Sequence, residues 1–179
     1  MPSVEVRPAN SSDLSTLIRF VHGCDTTHVW QMDSSADHGQ IEVRFREIRL
    51  PRSLRLEYPR NPETMADTWT KHNLFLVARV QGQLVGYLSL DILSENNLGR
   101  VIDLVVDERS RRQSIATTLL VSAQDWLRSK GIYRIMLEMQ SKNHSSISLA
   151  RKLRYEFSGF ADCYFANRDI AVFFTANLK

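Results

Sequence analysis

The chain has 179 residues, 43% of them apolar and 24% charged, with a net charge of +3. Those values fit one soluble globular domain with a sizeable core. They argue against a nucleic-acid binder: six arginines crowd between Arg44 and Arg60, but Glu42, Glu47 and Glu57 interleave with them. An anionic ligand suits the charge better. Two cysteines, Cys24 and Cys163, make neither a disulfide framework nor a zinc spacing, so reduced thiols in a cytoplasmic protein are expected. No apolar run approaches the roughly 18 residues of a membrane span. The opening MPSVEVRPAN holds no signal-peptide core.

Val4 to Arg7 alternates and reads as an edge strand closed by Pro8. Asn10 or Ser11 then caps a helix whose buried stripe is Leu14, Leu17, Ile18 and Val21, with Gly23 as its stop. Residues 24–40 have no clear period and read as loop or broken helix. His28 and His38 lie there, without a carboxylate or cysteine at ligand spacing, so no metal site is expected. Ile41 to Leu56 alternates apolar and charged residues, as a half-exposed strand broken by Pro51 does. Its arginine face is either solvated or frames a substrate or a partner subunit. Glu63 to His72 follows Pro62 as a short helix. Leu74 to Val80 and Leu84 to Leu93 then flank the turn Gln81-Gly82-Gln83, and Asn96-Asn97 leads to a third strand ending at Val106. Short polar turns make these three an antiparallel meander.

The chain is organised around residues 101–120. An apolar run ends at Val106, a basic turn follows, and a helix opens at Gln113 to Ile115. The first N–H groups of a helix lack internal partners and carry partial positive charge, and Arg109, Arg111 and Arg112 add full charges. That combination suits a diphosphate. The helix runs to about Lys130, with Ile115, Leu119, Leu120, Ala123, Trp126 and Leu127 on its core face and Gly131 beyond its end. Tyr133 to Met139 is a strand, and a strand–helix–strand order makes it parallel to the one ending at Val106. Asn143 or Ser145 starts a second helix. Glu156 to Tyr164 and Ile170 to Thr175 form a closing hairpin around Asn167-Arg168. The expected class is α/β with a mixed sheet.

This order of elements, and the residues at the turn, resemble the GNAT superfamily of acyl-CoA-dependent N-acyltransferases. The family's turn runs Arg or Gln, two residues, Gly, one residue, then Gly or Ala. Arg111, Arg112, Gln113, Ser114, Ile115 and Ala116 match it, after the lead-in IDLVVDERSR. Asn143 matches a second family element, and Arg154-Tyr155 stands where Gly-Phe is common. The segment SGFADCYFANRDIAVFF is similar to the tail of streptothricin-acetyltransferase-like members. The resemblance implies a mostly antiparallel mixed sheet flanked by helices, with splayed central parallel strands. It implies acetyl-CoA as co-substrate, with its pyrophosphate held by amides from Arg112 to Thr117, that is Arg112, Gln113, Ser114, Ile115, Ala116 and Thr117, beside Arg111. The pantetheine arm would pair with Leu104, Val105 and Val106, with Asn143 nearby. Two departures stand out. Ser114 replaces the first glycine, and its hydroxyl is small enough to keep phosphate binding. Ala150 replaces a tyrosine that serves many members as general acid, which leaves Tyr155, Tyr164 or water for that role.

Acyl transfer to an amine also needs a base, because only the neutral amine attacks. Asp103, on the central strand beside the pantetheine site, and Asp91, at the end of the neighbouring strand, are the candidates. Asp103 reads equally as a structural carboxylate. A backbone N–H at Val105 or Val106 would hold the oxyanion. The sequence reading is therefore one acetyltransferase domain over residues 1–179. It transfers acetyl directly to a primary amine of a small molecule or a protein, without a covalent enzyme intermediate, a metal or a nucleic acid. The acceptor surface is expected from residues 22–62 and the C-terminal hairpin, whose strands are also placed to pair in a homodimer. Two alternatives stay open: a GNAT-like module that holds CoA but catalyses poorly, and a nucleic-acid binder built on the arginines of residues 44–60.

Overall fold

The computed structural model describes residues 3–178. Strand β1 (Val4–Pro8) lies at one edge of a seven-stranded sheet, and Pro8, its last residue, sits where the lost N–H matters least. Asn10 caps the next turn: its side chain accepts from Ser12 N while Asp13 reaches back to Asn10 N. The helix α1 that follows is short, Leu14–Leu17. Leu14 and Leu17 are buried as their spacing requires, but Val21 is exposed, and the chain leaves the helix before Gly23.

Residues 24–40 differ from expectation. They form most of a long strand, β2 (Cys24–Asp37), which pairs antiparallel with β3 (Gln40–Leu56) as a separate two-stranded ribbon. No period shows in β2 because only its base packs on the domain, His28 against the His144 ring and Trp30 under the Arg151 guanidinium, while Ser34 to Asp37 are exposed on both faces. Nor does Pro51 break β3. Pairing resumes at Leu54 opposite Thr26, and residues 50–53 bulge out opposite Thr27. The base is anchored: Trp30 N donates to Ser141 O at 3.0 Å, and the Phe45 ring lies 5.6 Å from Phe157 and 5.5 Å from Phe160.

After the helical segment around α2 (Met65–Thr68), the meander follows as read: β4 (Leu74–Val80), β5 (Gln83–Leu93) and β6 (Leu98–Val106). Helix α3 (Ile115–Ser129) then crosses over to β7 (Arg134–Gln140), parallel to β6. Helix α4 (His144–Lys152) is capped by Asn143, which accepts from Ser146 N, and not by Ser145. Strands β8 (Glu156–Ala161) and β9 (Ala171–Asn177) close the sheet. The order is β1-β4-β5-β6-β7-β9-β8, mixed and mostly antiparallel. Helices α3 and α4 cover one face over the larger core, and α1 and α2 cover the other over Leu14, Leu17, Phe75, Val77 and Tyr87. Among the described residues no helix is long and apolar enough to cross a membrane.

Two features of β6 set up everything that follows. Its ladder with β7 covers only Gly99–Val101 against Ile135–Leu137, so the two strands part beyond Val101. Opposite Ser89 and Leu90 the strand also carries one extra residue, Ile102. Val101 faces the larger core, and after the bulge Asp103 and Val105 face the α1/α2 side.

Candidate active site

The turn between β6 and α3 is a cradle of free amides. Among the described residues, no N–H from Arg112 to Thr117 meets a protein acceptor, and Thr118 N begins the helical ladder by donating to Ser114 O at 3.0 Å. The chain gets there through two left-handed residues, Arg112 (φ 65°) and Ser114 (φ 62°). That conformation explains the family's glycine at position 114, and serine adopts it here at a modest steric cost. Arg112, Gln113 and Ser114 are exposed. Arg111 is not: its Nε donates to Val106 O at 3.1 Å, and its Nη2 to Val21 O at 2.7 Å and Gly23 O at 2.9 Å. Its guanidinium therefore ties the turn to β6 and to the segment after α1, whereas Arg112 and Arg109 are exposed in the turn.

Where β6 and β7 part there is a cleft, lined by Ile102, Leu104, Leu137, Met139, Asn143 and Ser146. Asp107 N donates to Val85 O at 2.9 Å, which fixes the alternation along β6. Val105 and Asp103 turn their N–H groups toward β5, and Leu104 and Val106 turn theirs toward the gap. Arg111 and Arg60 confirm this by reaching the carbonyls of Val106 and Ile102 from the open side. Of the expected backbone donors, Leu104 and Val106 thus face the cleft. Val105 does not, because its peptide is committed to the β5 ladder opposite Tyr87. Asn143 lines the cleft but spends its carbonyl oxygen as the α4 cap.

On the other face of the sheet a second cavity is lined by Met65, Thr68, His72, Phe75, Tyr87 and Asp103. Two residues, Tyr58 and Arg60, line both cavities. Tyr58 donates a short hydrogen bond to Asp103 Oδ1, and Ser89 Oγ donates to Oδ2 at 2.6 Å. Arg60 spans the parted strands: it donates to Ile102 O at 3.0 Å on β6 and to the Glu138 carboxylate on β7, with Asp103 Oδ1 at 3.6 Å. Burial and the adjacent Asp103 carboxylate hold the Tyr58 phenol well above its ordinary range, so it stays protonated. Burial also raises Tyr87 and lowers His22. His22 Nδ1 sits 2.8 Å from Phe20 O and carries the proton, so Nε2 accepts from the Tyr87 hydroxyl at 3.0 Å.

The other sequence candidates fall differently. Tyr155 is buried on the α3 side, accepts from Gln124 Nε2 at 2.8 Å and lines neither cavity. A catalytic role for it is ruled out by that placement. Tyr164 donates to Glu138 Oε2 at 2.9 Å, at the outer wall of the cleft. Asp91 is paired with His72 Nδ1 at 2.9 Å, and Ala150 is fully buried in the α4 packing. Sequence reasoning missed Tyr58, Arg60, Ser89 and Glu138. The one available signal was a polar residue inside each apolar strand: Ser89 is fully buried and the Glu138 side chain is 2% exposed.

The model of the Acetyltransferase (GNAT) family matches residues 43–155, more than half of the chain. The chain belongs to the GNAT acetyltransferase family. Similar solved structures agree with that fold across its whole length. Nourseothricin acetyltransferase is 18% identical with a TM-score of 0.85, covering 98% of this chain and 99% of its own. A candidate streptothricin acetyltransferase from Bacillus anthracis, solved with acetyl coenzyme A, is 17% identical with a TM-score of 0.75, covering 98% of this chain and 99% of its own. In sequence, a candidate ribosomal protein bS18-alanine N-acetyltransferase of Bacillus subtilis is 26% identical over 132 residues, 65% of this chain and 86% of the relative. In this GNAT protein the segment after β3 supplies the wall that the two cavities share, through Tyr58 and Arg60.

Proposed function

We propose that the chain, as one N-acetyltransferase domain over residues 1–179, moves the acetyl group of acetyl-CoA to a primary amine in the cytoplasm. The observation that supports this best is that one strand carries both halves of the site. β6 ends in the turn with the free amides at 112–117, and the cleft where it parts from β7 shares Tyr58 and Arg60 with a second cavity that holds Asp103. The amides and Arg112 suit a diphosphate. Leu104 and Val106 offer backbone groups to an extended arm, and Leu137 and Met139 exclude water from it. The bound thioester supplies the activated acyl carbon. The amine enters from the α1/α2 side, where Phe75, Tyr87 and Met65 surround a carboxylate. Asp103 is then the carboxylate toward which the amine's proton moves as the amine attacks. Neither cysteine is needed: Cys24 has its thiol pushed up by burial, and Cys163 is exposed.

The relatives' names point to amine acceptors of two kinds, an antibiotic and a ribosomal protein, and a small-molecule or protein amine is the acceptor class for this chain. The arginines of residues 44–60 do not favour nucleic acid. Arg44 pairs with Glu42, Arg46 with Asp33, Arg55 with Asp25 and Glu108, and Arg60 with Glu138.

Thermal shift with acetyl-CoA, run beside a thiol-release assay over an amine panel, tests the reading. Stabilisation together with amine-dependent thiol release is expected. Stabilisation without release on any amine would favour a CoA-binding module. Nucleic-acid binding that falls steeply with salt would favour the basic ribbon.

A further inference from the structure

We propose that Tyr58 is the catalytic residue that carries the proton in both directions, taking it from the amine and returning it to the sulfur, with Asp103 as its reservoir. The inference rests on the acetyltransferase reading and assigns a step within it.

Two needs meet at the acyl carbon. The attacking nitrogen must shed a proton as it bonds to carbon, and the departing sulfur gains one when the carbon–sulfur bond breaks. Asp103 is badly placed to serve either alone. Both of its oxygens are already occupied, Oδ1 by Tyr58 and Oδ2 by Ser89 at 2.6 Å, and its side chain is only 15% exposed. Tyr58 is placed for both. It is the one hydroxyl that lines the cleft and the second cavity together, and its O–H already points at Asp103. The other tyrosines near the chemistry are committed elsewhere, Tyr87 to His22 and Tyr164 to Glu138, and Tyr155 lines neither cavity. At Ala150 there is no side-chain proton to give.

The balance closes within the two residues. As the N–C bond forms, an N–H proton passes to Tyr58 Oη while the Tyr58 proton passes to Asp103 Oδ1. As the C–S bond breaks, Asp103 returns that proton to Tyr58 and Tyr58 gives one to sulfur. The products are the amide and the free thiol, and Tyr58 and Asp103 end as they began. Arg60 sets a positive charge 3.6 Å from Asp103 Oδ1. Burial of Tyr58 keeps its proton on the phenol at rest.

The test combines kinetics with two measurements that need no turnover. Tyr58→Phe keeps the ring and Asp103→Asn keeps the shape, so both should fold. Each should lower kcat by about a hundredfold or more, the scale of a positioned acid–base group. Each should leave acetyl-CoA affinity, measured by calorimetry, within about twofold. The double variant should be no slower than the worse single one, because groups that act as a unit are not additive. In ligand-free Asp103→Asn, ultraviolet titration should show Tyr58 ionising at lower pH than in the native protein beside a shift of Tyr87, and adding Tyr58→Phe should remove the Tyr58 part and leave that of Tyr87. Native-like kcat in Tyr58→Phe, a double loss equal to the product of the singles, or no Tyr58 part in the titration shift would overturn the relay. Failure of the native protein to acetylate any amine would sink the parent reading and the relay with it, and the titration would still judge the Tyr58–Asp103 contact separately.

Discussion

The turn at 107–117 and the junction at Tyr58 and Asp103 are adjacent in space and built in opposite ways. The turn is local. One strand end, two left-handed residues and the first turn of α3 make it, and its binding groups are backbone amides. The junction is assembled from segments far apart in the chain. Tyr58 and Asp103 are separated by 45 residues, and Arg60 and Glu138 by 78. Its working groups are side chains. A site made of amides survives changes of letter as long as the backbone path is kept, whereas a site made of side chains fails with one atom. On that contrast Ser114 is tolerable in a glycine position, whereas the missing hydroxyl at Ala150 is what the role proposed for Tyr58 would make good.

The sharpest way to break the contrast is to remove one amide and no side chain of consequence. Ala116→Pro does so. Proline is accommodated in the first helical turn, where the N–H is unpaired anyway. If backbone donors hold the diphosphate, acetyl-CoA affinity should fall about ten- to a hundredfold, since a hydrogen bond to a charged group contributes ~1.5–3 kcal/mol. The melting temperature should barely move. Unchanged affinity by calorimetry would mean the phosphates bind elsewhere.

The two arginines of the turn sharpen it further. Arg111 has three carbonyls to satisfy and Arg112 has none. Arg111→Ala should cost roughly 2 kcal/mol of stability, because Val106, Val21 and Gly23 lose their donor together, and should weaken cofactor binding by loosening the turn. Arg112→Glu should weaken binding severalfold at unchanged stability. Urea unfolding beside calorimetry separates the two. Equal stability losses would show that Arg111 is not a brace.

A smaller effect tests whether joints made of side chains respond to pH as the amide turn does not. Asp13 lies buried under a two-point contact with Arg7, both distances 2.8 Å, and that contact holds its carboxyl below the usual aspartate range. A lowered folded value means the unfolded chain takes up the proton first. The stabilisation is therefore complete above about pH 4, the unfolded aspartate value, and is lost as pH falls through the folded value. Acid unfolding should begin at higher pH in Arg7→Ala. An unshifted acid limb would show that the pair contributes nothing.

The same contrast governs how much of the molecule could be read from its residues. The meander, the parallel crossover, the basic turn and the Asn143 cap were legible because periodicity, turn residues and caps act over a few positions. The ribbon was not: β2 lacks alternation because its base packs on α4 while its outer end, Ser34 to Asp37, is exposed on both faces. The short α1 was overextended because Val21 falls at helical spacing by chance. Asp103 stood out as a charge in an apolar strand. Tyr58 did not, since nothing in Glu57-Tyr58-Pro59-Arg60 reveals that the register of a bulged strand brings it beside Asp103.

The smallest effect concerns the left-handed residues themselves. Ser114 (φ 62°) and Arg154 (φ 63°) both stand where glycine is common in the family, one opening α3 and one closing α4. An L-residue pays about 1–2 kcal/mol for that conformation, and glycine gives back roughly 0.5–1 kcal/mol through its greater freedom when unfolded. Ser114→Gly and Arg154→Gly should each therefore stabilise the protein by less than about 1 kcal/mol in urea unfolding. Their effects on function should differ. Arg154 lies outside both cavities, so its replacement should leave acetyl-CoA affinity alone. At position 114 the exposed serine hydroxyl stands beside the free amides. If it bonds a phosphate, Ser114→Gly will gain stability and lose affinity together, and if backbone is the whole site, affinity will hold.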